Sequence, residues 1–109
     1  MGRPPGLIPI NFSPEARQDL ERETRWWREN RPMNPSLFRE ELESIMELLA
    51  QSPSVGLPQT SNNQPVRILM RRVRCHVYYI YDERANEVLV VAVWGAHRSK
   101  GPPSLRFRR

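Results

Sequence analysis

From Val66 to Arg98 three β-rich runs follow one another along the chain, the first alternating with the two-residue period of a β-strand. Val66, Ile68 and Met70 fall on one face of a first run, against Arg67 and Leu69 on the other. Cys75 to Tyr81 is dense in aromatic and β-branched residues, and Val88 to Trp94 is apolar on both faces. A run with no polar side requires cover on both sides, which places the third strand near the centre of a sheet. The short polar link Asp82 to Glu87 contains Asn86, a residue that tolerates positive φ, and suits a hairpin. These three runs predict an antiparallel meander.

The preceding half carries the helical period. Ser13-Pro14 is an N-cap hydroxyl followed by proline at the first helical position, and Glu15 complements the helix dipole. Ala16, Leu20 and Trp27 then recur on one face, flanked by Thr24 and Trp26, while Arg17, Glu21, Arg25 and Arg28 lie opposite. The spacing predicts an amphipathic helix ending near Asn30. Asn34-Pro35 repeats the cap-and-proline signal. Phe38, Leu42, Ile45 and Leu49 form the stripe of a second helix that stops before Pro53, with Glu40, Glu41, Glu43 and Glu47 expected to face water. Before the first helix, Leu7 to Phe12 reads as a strand. Pro9 lacks an N–H, so this strand lies at an edge or begins after Pro9. Residues 51–65 read as a loop.

Two helices on a short link form an antiparallel hairpin, and its apolar stripe needs a sheet to cover. The predicted fold is therefore α+β: an N-terminal strand and helical hairpin packed on a C-terminal antiparallel meander. One domain spans residues 1–98, followed by a basic tail over residues 99–109.

Charge sharpens this picture. Residues 15–47 carry nine acidic and six basic groups, whereas residues 66–109 carry three acidic and ten basic. Lys100 is the single lysine of that basic half. Arginine forks bind carboxylates and phosphates in pairs of hydrogen bonds, so this half is expected to meet an acidic partner or a nucleic acid. No apolar run is long enough for a membrane span, and the N-terminus lacks a secretory apolar core. Cys75, the one cysteine, reads as a small buried hydrophobe and fits a reducing cytoplasm.

The order of these pieces resembles the RelE/ParE superfamily of bacterial type II toxins. INFSPEARQDLE resembles the family's opening strand and a helix bearing A-x-x-D-L. LAQSPSVG, with Leu49, Pro53 and Gly56, resembles its L-x-x-x-P-x-x-G turn, and Arg67 the arginine that opens the meander. VYYIYDERANEVLVVAVWGAHR resembles the ParE run of aromatic strand, turn, apolar strand and basic terminus, with Tyr81 and Arg98 at the matching tyrosine and arginine. Val93-Trp94-Gly95-Ala96-His97-Arg98 departs from V-L-H-G-x-R in the place of its histidine. The resemblance implies a toxin held in a hetero-oligomer by a cognate, ParD-like antitoxin. ParE-like members inhibit DNA gyrase; RelE-like members cleave messenger RNA on the ribosome.

Metal-free RNA cleavage needs a base, an acid and cations for the extra phosphate charge. His76, His97, Tyr79 and Tyr81 are the acid–base candidates, with Arg72, Arg74 and Arg98 as clamps; His97, Arg98 and Tyr81 lead if the chain is a nuclease. The tyrosines are equally what a half-buried strand prefers, and the lysines typical of RelE-like sites are missing from the middle strands. Inhibition of gyrase is therefore the first expectation. Arg67, Arg71, Arg72, Arg74, Arg98, Arg106, Phe107 and Arg108 are the expected antitoxin- or target-binding residues. Zinc spacing, a phosphate loop and a hydrolase triad are all lacking, so neither metal nor cofactor is expected. A DNA-binding module is disfavoured by the acidic or mixed polar faces of both helices. An inactive antitoxin-binding homologue is the remaining reading of the altered WGAHR end.

Overall fold

A computed structural model describes residues 7–53 and 65–103. Val55, Gly56 and most of the predicted 51–65 loop lie outside them, as do Arg106, Phe107 and Arg108. Among the described residues the chain order is β1 (Ile10–Phe12), α1 (Pro14–Asn30), α2 (Leu37–Gln51), β2 (Val66–Met70), β3 (Cys75–Asp82) and β4 (Glu87–Gly95). The sheet order is β1-β4-β3-β2, so β4 is interior as its apolar sequence requires. β2–β3–β4 is the antiparallel meander, and β1 pairs parallel with β4 at the edge.

Pro9 sets where β1 begins. It has no N–H for a ladder, but its carbonyl accepts from the Val88 N–H at 2.9 Å, and strand geometry starts at Ile10. The chain then turns into α1 at Ser13, whose Oγ accepts from the Ala16 N–H at 3.1 Å. Pro14 occupies the first turn, and the Arg31 N–H closes the other end on the Trp27 carbonyl at 2.8 Å.

The second helix departs from its predicted start. Asn34-Pro35 forms a turn in which the Leu37 N–H reaches the Asn34 carbonyl, and the helix begins at Leu37 with Ser36 as its cap. Ser36 sits in the helical backbone region and gives its hydroxyl to Glu40 rather than capping a backbone N–H. The hairpin turn before β4 follows its residues as expected. Asp82 Oδ1 accepts from the N–H groups of Arg84 and Ala85, Asn86 adopts φ 55°, and Tyr81 donates its hydroxyl to Asn86 Oδ1 at 2.9 Å.

The core lies between the helices and one face of the sheet. Ala16 and Trp27 of α1 and Leu37, Phe38 and Leu49 of α2 meet Val66, Met70, Cys75, Val77, Tyr79, Val88, Val90 and Val93. The Ile8 N–H bonds the Ala50 carbonyl at 3.0 Å, tying the start of the chain to the end of the hairpin. Strand pairing jumps from Tyr78↔Ala92 to Tyr79↔Val90, which makes Val91 a bulge. The bulge keeps Val93 on the helix side although it lies an odd number of residues from Val90. Ile80, Val91 and Ala92, outside that core cluster, are buried too. Arg67, His76, Tyr78 and Trp94 share the face opposite the helices, as their register requires.

Candidate functional site

The buried stripe of α1 is Ala16, Asp19, Glu23 and Trp27, at helical offsets of three, four and four. Two of its four residues are carboxylates with no exposed surface, whereas Leu20, assigned to the stripe from sequence, is half-buried. A buried charge requires a partner. Asp19 Oδ2 accepts from the Val93 N–H at 3.0 Å, just past the bulge, while Oδ1 pairs with Arg22 at 3.0 Å. Glu23 accepts from His97 Nε2 at 3.0 and 2.9 Å through its two oxygens. Glu41, expected at the surface, is half-buried: it accepts the N–H groups of Val73 and Arg72 at 2.9 and 3.2 Å. The helices thus hold the β2–β3 turn and the end of β4 through carboxylates.

His97 is fixed on three sides. Its ring stacks on Trp26 with centroids 4.2 Å apart and planes within 7°. Trp26 meets Trp27 edge-on at 5.8 Å, and the Arg31 guanidinium lies 5.5 Å from the Trp26 ring. Gly95 provides the third constraint. A β-carbon there would stand 2.6 Å from His97 Cδ2 and 2.8 Å from Glu23 Oε1, closer than such contacts occur. Replacing Gly95 with alanine is expected to displace the imidazole and destabilise the domain by about 2 kcal/mol, read as a lower urea midpoint. An unchanged midpoint with an unchanged Trp26 ring environment would contradict this packing.

The wall built this way belongs to a cleft of about 330 Å³ lined by Trp26, Trp27, Arg31, Arg72, Val73, Arg74, Ala96 and His97. The β2–β3 turn delivers Arg72 and Arg74 to it. Arg74 takes φ 56°, and its carbonyl accepts the Ala96 N–H at 2.8 Å, which joins the turn to the segment after β4. Arg31, which is not among the arginines expected from sequence to bind a partner, also lines the cleft, one residue past a helix bearing two tryptophans.

The proposed acid–base groups are not brought together. His97 faces the helices, whereas Arg98 stacks its guanidinium 3.7 Å from the Trp94 ring on the opposite side of the sheet. Tyr81 pairs with Val88 at the hairpin end, roughly 23 Å along the strand from Gly95. Tyr79 is a core residue whose hydroxyl is pushed up to about 12 by burial. Burial, then the Arg67 charge, lowers His76 from its ordinary value, favouring the neutral ring. Burial, reinforced by Glu23, raises the Cys75 thiol, so it stays protonated and unreactive. Of the arginines expected to bind a partner, Arg72 and Arg74 share the cleft; Arg67 and Arg71 are exposed outside its lining. Among the described residues no group of three or more His, Cys, Asp or Glu is placed to hold a metal ion. No described helix is long and apolar enough to cross a membrane.

Residues 10–100 match the family described as ParE toxin of type II toxin-antitoxin system, parDE, and the chain belongs to that family. Its fold is similar to a solved structure of the E. coli toxin RelE, a double arginine-to-alanine mutant in the free state. That match has a TM-score of 0.54 at 17% identity and covers 85% of this chain and 87% of the other, a likeness of fold alone. No curated protein matches. A toxin of this type is paired with an antitoxin.

Proposed function

We propose that this chain is a cytoplasmic toxin that arrests growth by inhibiting DNA gyrase and is neutralised by a ParD-like antitoxin. Membership of the ParE family supports the reading, and the placement of the leading nuclease candidates weighs in its favour. His97, Arg98 and Tyr81 lie on two faces and at two ends of the sheet, so that trio does not converge on one phosphate, although His97 does share its cleft with Arg72 and Arg74. A metal-free nuclease needs its base, acid and cation within hydrogen-bond reach of the same reacting atoms. Purified, antitoxin-free protein is accordingly expected to leave ribosome-bound message intact. A cut at the ribosomal A site would overturn the reading and make the chain a nuclease.

The antitoxin is proposed to lay acidic residues along Arg67, Arg71, Arg72 and Arg74, exposed residues of the edge strand β2 and its turn. Such pairs set orientation and association rate. Reversing Arg72 and Arg74 to glutamate is expected to weaken antitoxin binding at least about tenfold, mainly through slower association. Both side chains are exposed, so thermal unfolding should change little. Unaltered affinity in a titration would remove these arginines from the interface. Arg98, Arg106, Phe107 and Arg108 are proposed target-facing residues, with residues 99–109 acting as a basic tail beyond the 1–98 domain.

A further inference from the structure

The cleft between the end of α1 and the β2–β3 turn has no role in gyrase inhibition as described. We propose that it binds the phosphate monoester of a mononucleotide, either free or at the end of a nucleic acid strand. Three guanidinium-bearing residues, Arg31, Arg72 and Arg74, line it, and no carboxylate residue does. Among the described residues, neither Arg72 nor Arg74 forms an ion pair. The nearby carboxylates are already committed: Glu23 to His97, and Glu41 to the backbone N–H groups of Arg72 and Val73. The guanidinium groups of Arg72 and Arg74 therefore have no carboxylate fork partner among the described residues.

Two features choose the ligand. A carboxylate carries one charge and engages one fork, whereas a phosphate monoester carries about −1.5 to −2 and offers three acceptor oxygens. Three arginines on one cleft match the second. The opposing wall is aromatic, formed by the Trp26–His97 stack and Trp27, which gives a nucleoside an apolar surface beside the cations. The volume of about 330 Å³ lies at the small end of ligand sites and has room for a mononucleotide. Trp27 is only 6% exposed, and its buried indole N–H has no acceptor among the described residues. Buried donors are rarely left unmatched; this one lies beneath the aromatic wall and does not open onto the cleft.

The inference stands apart from the gyrase reading, because direct binding tests it and no toxicity is required. Antitoxin-free protein would be titrated with AMP, with adenosine, and with a short oligonucleotide carrying or lacking a 5′-phosphate, followed by heteronuclear NMR. AMP is expected to bind at least about tenfold tighter than adenosine, shifting the indole N–H signals of Trp26 and Trp27 more than that of Trp94. The double variant Arg72→Gln/Arg74→Gln, and Arg31→Gln alone, should lose that preference with unchanged circular dichroism. Arg17→Gln, exposed on α1 outside the cleft, should keep it. A phosphorylated oligonucleotide that binds tighter than AMP supports the cleft and assigns the source to a strand end; AMP binding as tightly supports it with a free nucleotide. Equal affinity for AMP and adenosine, or an unchanged preference in the arginine variants, would overturn the proposal.

Discussion

Replacing His97 with alanine is expected to lower the unfolding free energy by about 3 kcal/mol, the largest loss from any single side chain outside the apolar core. The imidazole is the hydrogen-bond partner that both Glu23 oxygens share, and Glu23 is fully buried. Removing one member of a buried pair costs about 3–5 kcal/mol because the other is left uncompensated. The His97 side chain is 26% exposed, so water entering the vacated space offsets part of that cost. Loss of the stack on Trp26 adds about 0.5–1.5 kcal/mol. Glu23→Gln is expected to be milder, about 1 kcal/mol, because the amide oxygen still accepts from Nε2. The informative comparison is the double variant His97→Ala/Glu23→Leu. It removes the stranded charge, so it should be more stable than His97→Ala alone. Urea unfolding of the four proteins measures this directly. A double variant no more stable than the single one would show that the pair is not what holds the end of β4.

Deleting residues 104–109 is expected to reduce growth arrest about tenfold or more while leaving the melting temperature unchanged. This segment carries Arg106, Arg108 and Arg109 on both sides of Phe107. Concentrated positive charge raises encounter rates with an acidic target by factors of about 10 to 1,000. The place of the cut matters. The Trp94 indole N–H donates to the Lys100 carbonyl, so the residues just past Arg98 are attached to the sheet. A deletion of 99–109 would remove that acceptor and cost about 1 kcal/mol of stability besides, mixing a folding defect into the toxicity readout. Induced growth curves, paired with melting of the purified proteins, separate the two. Full arrest by a chain ending at Pro103 would remove the tail from the target interface.

The strands and α1 were legible because their signals are local. Ser13-Pro14 caps where it should, Asn86 takes the positive φ its side chain permits, and the two-sided apolar run of β4 sits inside the sheet. The same cap-and-proline pattern at Asn34-Pro35 misled, because a turn closed by the Leu37 N–H competes with the helix for those residues. The site was much less legible. A hydrophobic stripe is sought among hydrophobic residues, and Asp19 and Glu23 are hidden from it by their charge. Tertiary partners 74 residues away in sequence, Val93 and His97, help make their burial tolerable, with Arg22 the local partner of Asp19. Gly95 shows no special signal in the sequence, yet its missing side chain leaves room for the His97 ring. His97 and Arg98 are neighbours in sequence, yet the backbone sends them to opposite faces. Adjacency suggested one site where the fold makes two surfaces.

Gyrase is the proposed target of this toxin. The most direct test is supercoiling of relaxed plasmid by purified gyrase and ATP, titrated with antitoxin-free protein. The account predicts loss of supercoiling or trapped cleaved plasmid, relieved when the cognate antitoxin is added. Full supercoiling at saturating protein, from a preparation that still arrests growth when expressed, would contradict it.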